Sequence, residues 1–143
     1  MTTIYESILA RLTAQVPELK WIDLEKGQMN YERPTIVFPA ALIGISLPKI
    51  ENLNQKKQVC EAYVTIKLCF DFTGNTSVST PEATRLASLA YFDLCDKIFN
   101  VLQGWGNGEM NPMSRINVAE ELRPDAYKAV KIIFKTAFHE IVV

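Results

Sequence analysis

From Val59 to Thr73 (VCEAYVTIKLCFDFT) apolar and polar positions alternate. Ala62, Val64, Ile66, Leu68, Phe70 and Phe72 fall on one side, and Tyr63, Thr65, Lys67, Cys69 and Asp71 on the other. A period of two in β-branched and aromatic residues marks a strand with one face in a core and one face partly wet. So regular a strand needs a sheet around it and a layer over its apolar face.

The remaining pattern supplies both. Tyr5, Ile8, Leu9, Leu12 and Val16 recur at helical spacing, behind a Thr3–Glu6 capping box and ahead of Pro17, so they predict a short amphipathic helix. Lys20 to Glu25 reads as a first strand, and Gly27 and Asn30 mark a turn around Gln28 and Met29. Thr35 to Ser46 (TIVFPAALIGIS) predicts a second strand, apolar on both faces, at an edge or bulged where Pro39 lacks a donor. The polar run KIENLNQKKQ reads as a flexible connection into the alternating strand, and GNTSVST as the loop after it.

Thr80-Pro81-Glu82 is a helix start, with a hydroxyl at the N-cap, proline at the first position and acid in the first turn. The stripe from Ala83 through Leu86, Ala90, Leu94, Ile98 and Leu102 to Trp105 predicts one helix of six turns, stopped by Gly104 and Gly106. Met113 to Leu122 alternates weakly as an exposed strand. Arg123 to Ala126 is a turn, and Tyr127 to Val142 is a long final strand. The order α-β-β-β-α-β-β predicts one α+β domain over residues 1–143, in two layers. A mostly antiparallel sheet of about five strands carries two helices on one face. Two helices cannot cover both faces, so the other is left to solvent or to a partner.

Composition narrows the partners. Fifteen basic and sixteen acidic residues give a net charge of −1, without the basic excess that phosphate binding requires, so nucleic acid is not expected. Cys60, Cys69 and Cys95 form no C-x-x-C pair and read as buried, reduced thiols. MTTIYESILA has no basic stretch ahead of its apolar residues, as a secretory signal would. The longest apolar run, Ile36 to Leu47, is too short for a bilayer and contains Pro39, so a soluble protein with no membrane partner is expected.

No catalytic set emerges. The one histidine, His139, falls on the wet side of the last strand, near two lysines. No G-x-S-x-G, P-loop, GxGxxG or HExxH pattern occurs, and GWGNGE follows a helix rather than opening one, so it cannot cradle phosphate. Glu120 and Glu121 are strand neighbours that point to opposite faces, and Asp93 and Asp96 share an exposed helix face. No metal ligands gather, and neither metal, cofactor nor catalytic residue is expected. Aromatic residues at strand starts, turns and wet faces suit core filling or an interface, where Trp and Tyr are enriched. Tyr31, Pro39, Tyr63, Thr65, Cys69 and Trp105 are accordingly the candidate subunit-interface residues.

In order and texture the chain resembles the phage tail-terminator and tail-completion proteins. The resemblance lies in the N-terminal helix, the run from WIDLEKGQ to RPTIVFPAALI, the strand VTIKLCFDFT leading into TPEATRLASLAYFDLCDKIFNVL, and the closing pair around LRPDAYKAVKIIFKTAF. It implies a sheet with two helices on one side, and subunits that assemble into a ring capping the tail tube. It further implies tail-tube and head–tail connector proteins as partners, no catalytic residues, and a place in the virion tail or, before assembly, in the host cytoplasm. A small α+β ligand-binding module or enzyme, with a pocket between helices and sheet, is the alternative. A host protein sharing only the architecture is a third reading.

Overall fold

The computed structural model describes residues 1–72 and 74–143; the predicted strand end at Thr73 lies outside them. The elements are α1 (Thr2–Gln15), β1 (Trp21–Leu24), β2 (Ala40–Asn54), β3 (Lys57–Phe70), α2 (Glu82–Ser88), α3 (Tyr91–Leu102), β4 (Ser114–Glu121) and β5 (Lys128–Ile141). They build a five-stranded sheet in the order β1-β2-β3-β5-β4. Only the β1–β2 pairing is parallel; the other three are antiparallel. The α+β, mostly antiparallel architecture expected from the hydrophobic pattern is the one observed.

One face of the sheet carries the main core. Ala62, Val64, Ile66 and Leu68 of β3, Ala41 and Ile43 of β2, and Val130, Ile132 and Phe134 of β5 meet Ile4, Ile8 and Leu12 of α1 and Leu94, Ile98 and Leu102 of α3. These side chains pack between the two layers. Pro17 cannot extend α1, which stops at Gln15. The helix begins at Thr2 without a side-chain cap, so the expected Thr3–Glu6 box does not form.

Three other elements depart from expectation. The predicted six-turn helix tightens at Leu89 and Ala90, where the backbone bonds shift to the i+3 spacing (Ala90 N to Ala87 O, Phe92 N to Leu89 O), separating α2 from α3. Thr80 does not cap it: Pro81 holds the N-cap position, and the Thr80 hydroxyl bonds Ser77 instead. Only α3 buries its stripe; in α2 Ser88 is the buried residue, packed so closely on Gly74 that a side chain at 74 would collide with it.

The run KIENLNQKKQ is not a loop. Lys49–Asn54 and Lys57–Gln58 continue β2 and β3 into one long hairpin, and Lys56 N donates to Asn54 Oδ1 at 2.8 Å across its tip. Register shifts between Ser46 and Lys49 and between Asn52 and Asn54 accommodate Pro48 and Leu53. The start of β2 moves accordingly, from the expected Thr35 to Ala40.

Residues 27–39 instead form an irregular cover. Met29, Ile36 and Phe38 fold back over Ala40, Leu42 and Cys69 on the face opposite the helices, with Tyr127 stacked on Phe38 at 5.3 Å. The cover turns at Gly27, whose φ of 77° lies in the left-handed region, and Gln28 seals it by donating from Nε2 to Leu24 O at 2.9 Å. Gly27→Ala is expected to cost about 1 kcal/mol, read as a lower urea midpoint with an unchanged slope.

Candidate functional site

The face opposite the helices is built in rows across β2, β3, β5 and β4. Register places Ala40, Cys69, Ala129 and Glu121 in the first row, and Leu42, Lys67, Lys131 and Ala119 in the second. Gly44, Thr65, Ile133 and Asn117 form the third, and Ser46, Tyr63, Lys135 and Ser114 the fourth. The cover lies over the first row and the Leu42 end of the second, and leaves the third and fourth open. Between the cover and the open rows is a concavity of about 530 Å³. Its floor is Leu42, Gly44 and Ile133; Thr65, Lys67 and Lys131 rise from it; Glu25, Asn30 and Glu121 form its rim.

Its electrostatics centre on Arg123, in the β4–β5 turn. The guanidinium donates to Glu121 Oε2 at 3.0 Å, to both oxygens of Asp125 at 3.0 and 2.7 Å, and to Met29 O at 2.6 Å. Arg123 therefore ties the cover to the far hairpin. Burial of the Glu121 carboxyl opposes its ionisation, but the Arg123 hydrogen bond and the charges of Lys67, Arg123 and Lys131 outweigh it and lower its pKa. The Arg123 hydrogen bond also lowers Asp125. Lys67, only 6% exposed, lies 3.6 Å from Glu121.

The six candidate interface residues are not brought together. Tyr63 and Thr65 sit half-buried in neighbouring rows of the open face. Cys69 shares that face but is fully buried beneath the cover, so it offers no surface to another molecule, and burial pushes its thiol up to about 12. The expectation that no part of this chain reaches that face is corrected here: an irregular segment covers one end of it. Tyr31 is exposed on the cover, and Pro39 precedes β2. Trp105 is on the helix side, packed against the main core beneath the Arg11 guanidinium at 5.4 Å.

Glu120 and Glu121 part as the strand geometry requires. Glu121 faces the concavity, while Glu120 accepts from the Tyr91 hydroxyl on the helix side, with Lys128 Nζ 3.4 Å away. Residues missed by sequence reading are Arg123, Asn30 and Lys131. The lysine pair was legible: Lys67 and Lys131 are both wet-face positions of strands, and pairing β3 with β5 would have set them opposite one another.

Among the described residues no three His, Cys, Asp or Glu side chains gather as metal ligands, and no helix is long and apolar enough to cross a membrane. No family model matches the chain. An adenylosuccinate synthetase of Geobacter sulfurreducens is 34% identical to it over 90 residues, which are 63% of this chain and 18% of that protein. The chain thus spans less than a fifth of the length of that relative, and a match of this extent assigns it to no family.

Proposed function

We propose that this chain is a structural protein of a phage or prophage tail, similar to the tail terminators, and that it assembles with itself into a ring at the end of the tail tube. The observation that carries the reading is the one-sided sheet. Helices α1 and α3 occupy one face, while two of the four rows on the other stand open beyond the cover. Both outer strands add unpaired edges: β1 pairs only with β2, and β4 pairs only with β5 and is exposed along nearly its whole length. Open faces and unpaired edges invite association. A contact that joins unlike surfaces head to tail closes into a ring when its rotation allows. The tail tube and the head–tail connector proteins are the further partners of this reading.

The test is light scattering coupled to gel filtration over a range of concentrations, with negative-stain electron microscopy, both with and without purified tail tubes. The expected result is a discrete ring-shaped oligomer. A monomer under every condition, tubes included, overturns the proposal.

A further inference from the structure

The concavity holds an arrangement that is unfavourable in an isolated subunit. Lys67 and Lys131 are paired directly across β3 and β5, so two lysines leave one face at adjacent positions, Lys67 nearly buried against Glu121 and Lys131 exposed. Like charges directly opposite destabilise a sheet. Their compensation is thin. Glu121 is the one carboxylate within 4.0 Å of Lys67, at 3.6 Å, and it already accepts from Arg123 at 3.0 Å. No carboxylate lies within 4.0 Å of Lys131 among the described residues. Beside the two lysines the floor is Leu42, Gly44 and Ile133, with Gly44 keeping it low.

The helix layer carries the complementary surface. On the solvent side of α3, Phe92 is 48% exposed, and Asp93 and Asp96 stand beside it, both exposed. Residues one turn apart share a helix face, so the ring and the two carboxylates project together. Neither aspartate has a salt-bridge partner among the described residues; Lys97, next in sequence, is turned to Glu18 at 2.7 Å.

We infer that the Lys67–Lys131 concavity is the socket for the Phe92–Asp96 patch of α3 of a second copy of this chain. Two carboxylates meet two lysines, of which Lys131 is the exposed one, and an exposed ring meets the part-exposed floor at Gly44 and Ile133. The complementarity is of charge and of apolar surface at once. Socket and patch lie on opposite faces of the subunit, so the contact is head to tail and is not closed by a two-fold axis. This rests on the assembly reading and names the surfaces that assembly uses.

Lys131 is exposed, as are both aspartates, so reversing their charges leaves the core intact. Sedimentation velocity is run on the wild type, on K131E, on D93K/D96K and on an equimolar mixture of the two variants, with circular dichroism as the check on folding. The wild type is expected to assemble less as salt rises, and each variant alone to associate at least about tenfold more weakly. The mixture is expected to recover assembly, because every alternating contact in it again joins opposite charges. Folded variants that assemble as the wild type does, or a mixture that fails to recover, overturn the socket and leave the assembly reading standing. A wild type that stays monomeric, alone and on tail tubes, overturns both.

Discussion

Arginine in place of Cys69 is expected to abolish folding, whereas arginine in place of Thr65 leaves the subunit folded. Both positions alternate onto the same face of β3, and both were expected from the sequence to be open to a partner. The cover separates them. Cys69 is fully buried against Met29, Ala40 and Leu42, while Thr65 is half-exposed in the third row. A guanidinium at 69 would be desolvated with no carboxylate prepared for it, a change that costs on the order of 4 kcal/mol or more. That is a large share of the stability of a domain of this size. Far-ultraviolet circular dichroism and the urea midpoint of the two variants decide the matter. A folded Cys69→Arg protein would mean that the cover lifts readily from the sheet.

Arg123→Met is expected to destabilise by about 3 kcal/mol and to flatten the acid limb of the stability profile. The guanidinium is the shared partner of Glu121, Asp125 and the carbonyl of Met29, and its side chain is only 11% exposed. Its loss strands Glu121 against the sheet and frees the cover. The pH dependence follows from the direction of the shifts. Glu121 and Asp125 are both held below their ordinary pKa in the fold, so the unfolded chain takes up protons first as pH falls. Their contribution is complete above the ordinary carboxylate range, roughly pH 5 and higher. It fades as pH falls through that range towards the lowered folded values. Urea midpoints between neutral and acid pH should fall steeply for the wild type and less so for the variant. Equal slopes would show that Arg123 is not what holds these carboxylates ionised.

The core face of the sheet was legible because alternation needs only neighbouring residues. Ala62, Val64, Ile66 and Leu68 were assigned to the helix-covered side from their spacing, and all four are buried there. What failed depended on residues far apart in the chain. Lys49 to Asn54 resembled a loop because β2 there runs beyond the helix layer, where neither face is buried and no apolar period is needed. The stripe of α2 was real as a pattern, yet Leu86 remains 58% exposed, with no surface among the described residues covering it. Periodicity records which residues share a side, and it cannot record whether anything lies opposite.

The cover was misread for a related reason. Ile36 and Phe38 are apolar enough for a buried strand, but Pro34 and Pro39 bracket the segment and neither can donate to a ladder. The segment packs by side chains instead. Arg123 had no local signature at all: its bond to Met29 joins the turn before β5 to the turn after β1. The candidate site was therefore half legible. Thr65 and Lys67 were placed on the right face, while Arg123, Lys131 and Asn30 became part of it only through the strand order.

That strand order also fixes how the chain must come together in time. The β2–β3 and β4–β5 pairs are hairpins, each closed by a short connection. The seam between β3 and β5 instead joins Lys57 to Ile141 and Phe70 to Lys128, with α2, α3 and β4 strung between them. Closing that loop costs chain entropy before any core contact offsets it, so the seam, rather than either hairpin, is where the folding barrier lies. Substitutions such as Ile66→Val or Ile132→Val along the seam therefore slow folding. Changes at the hairpin tip near Asn54 act chiefly on how fast the finished protein comes apart.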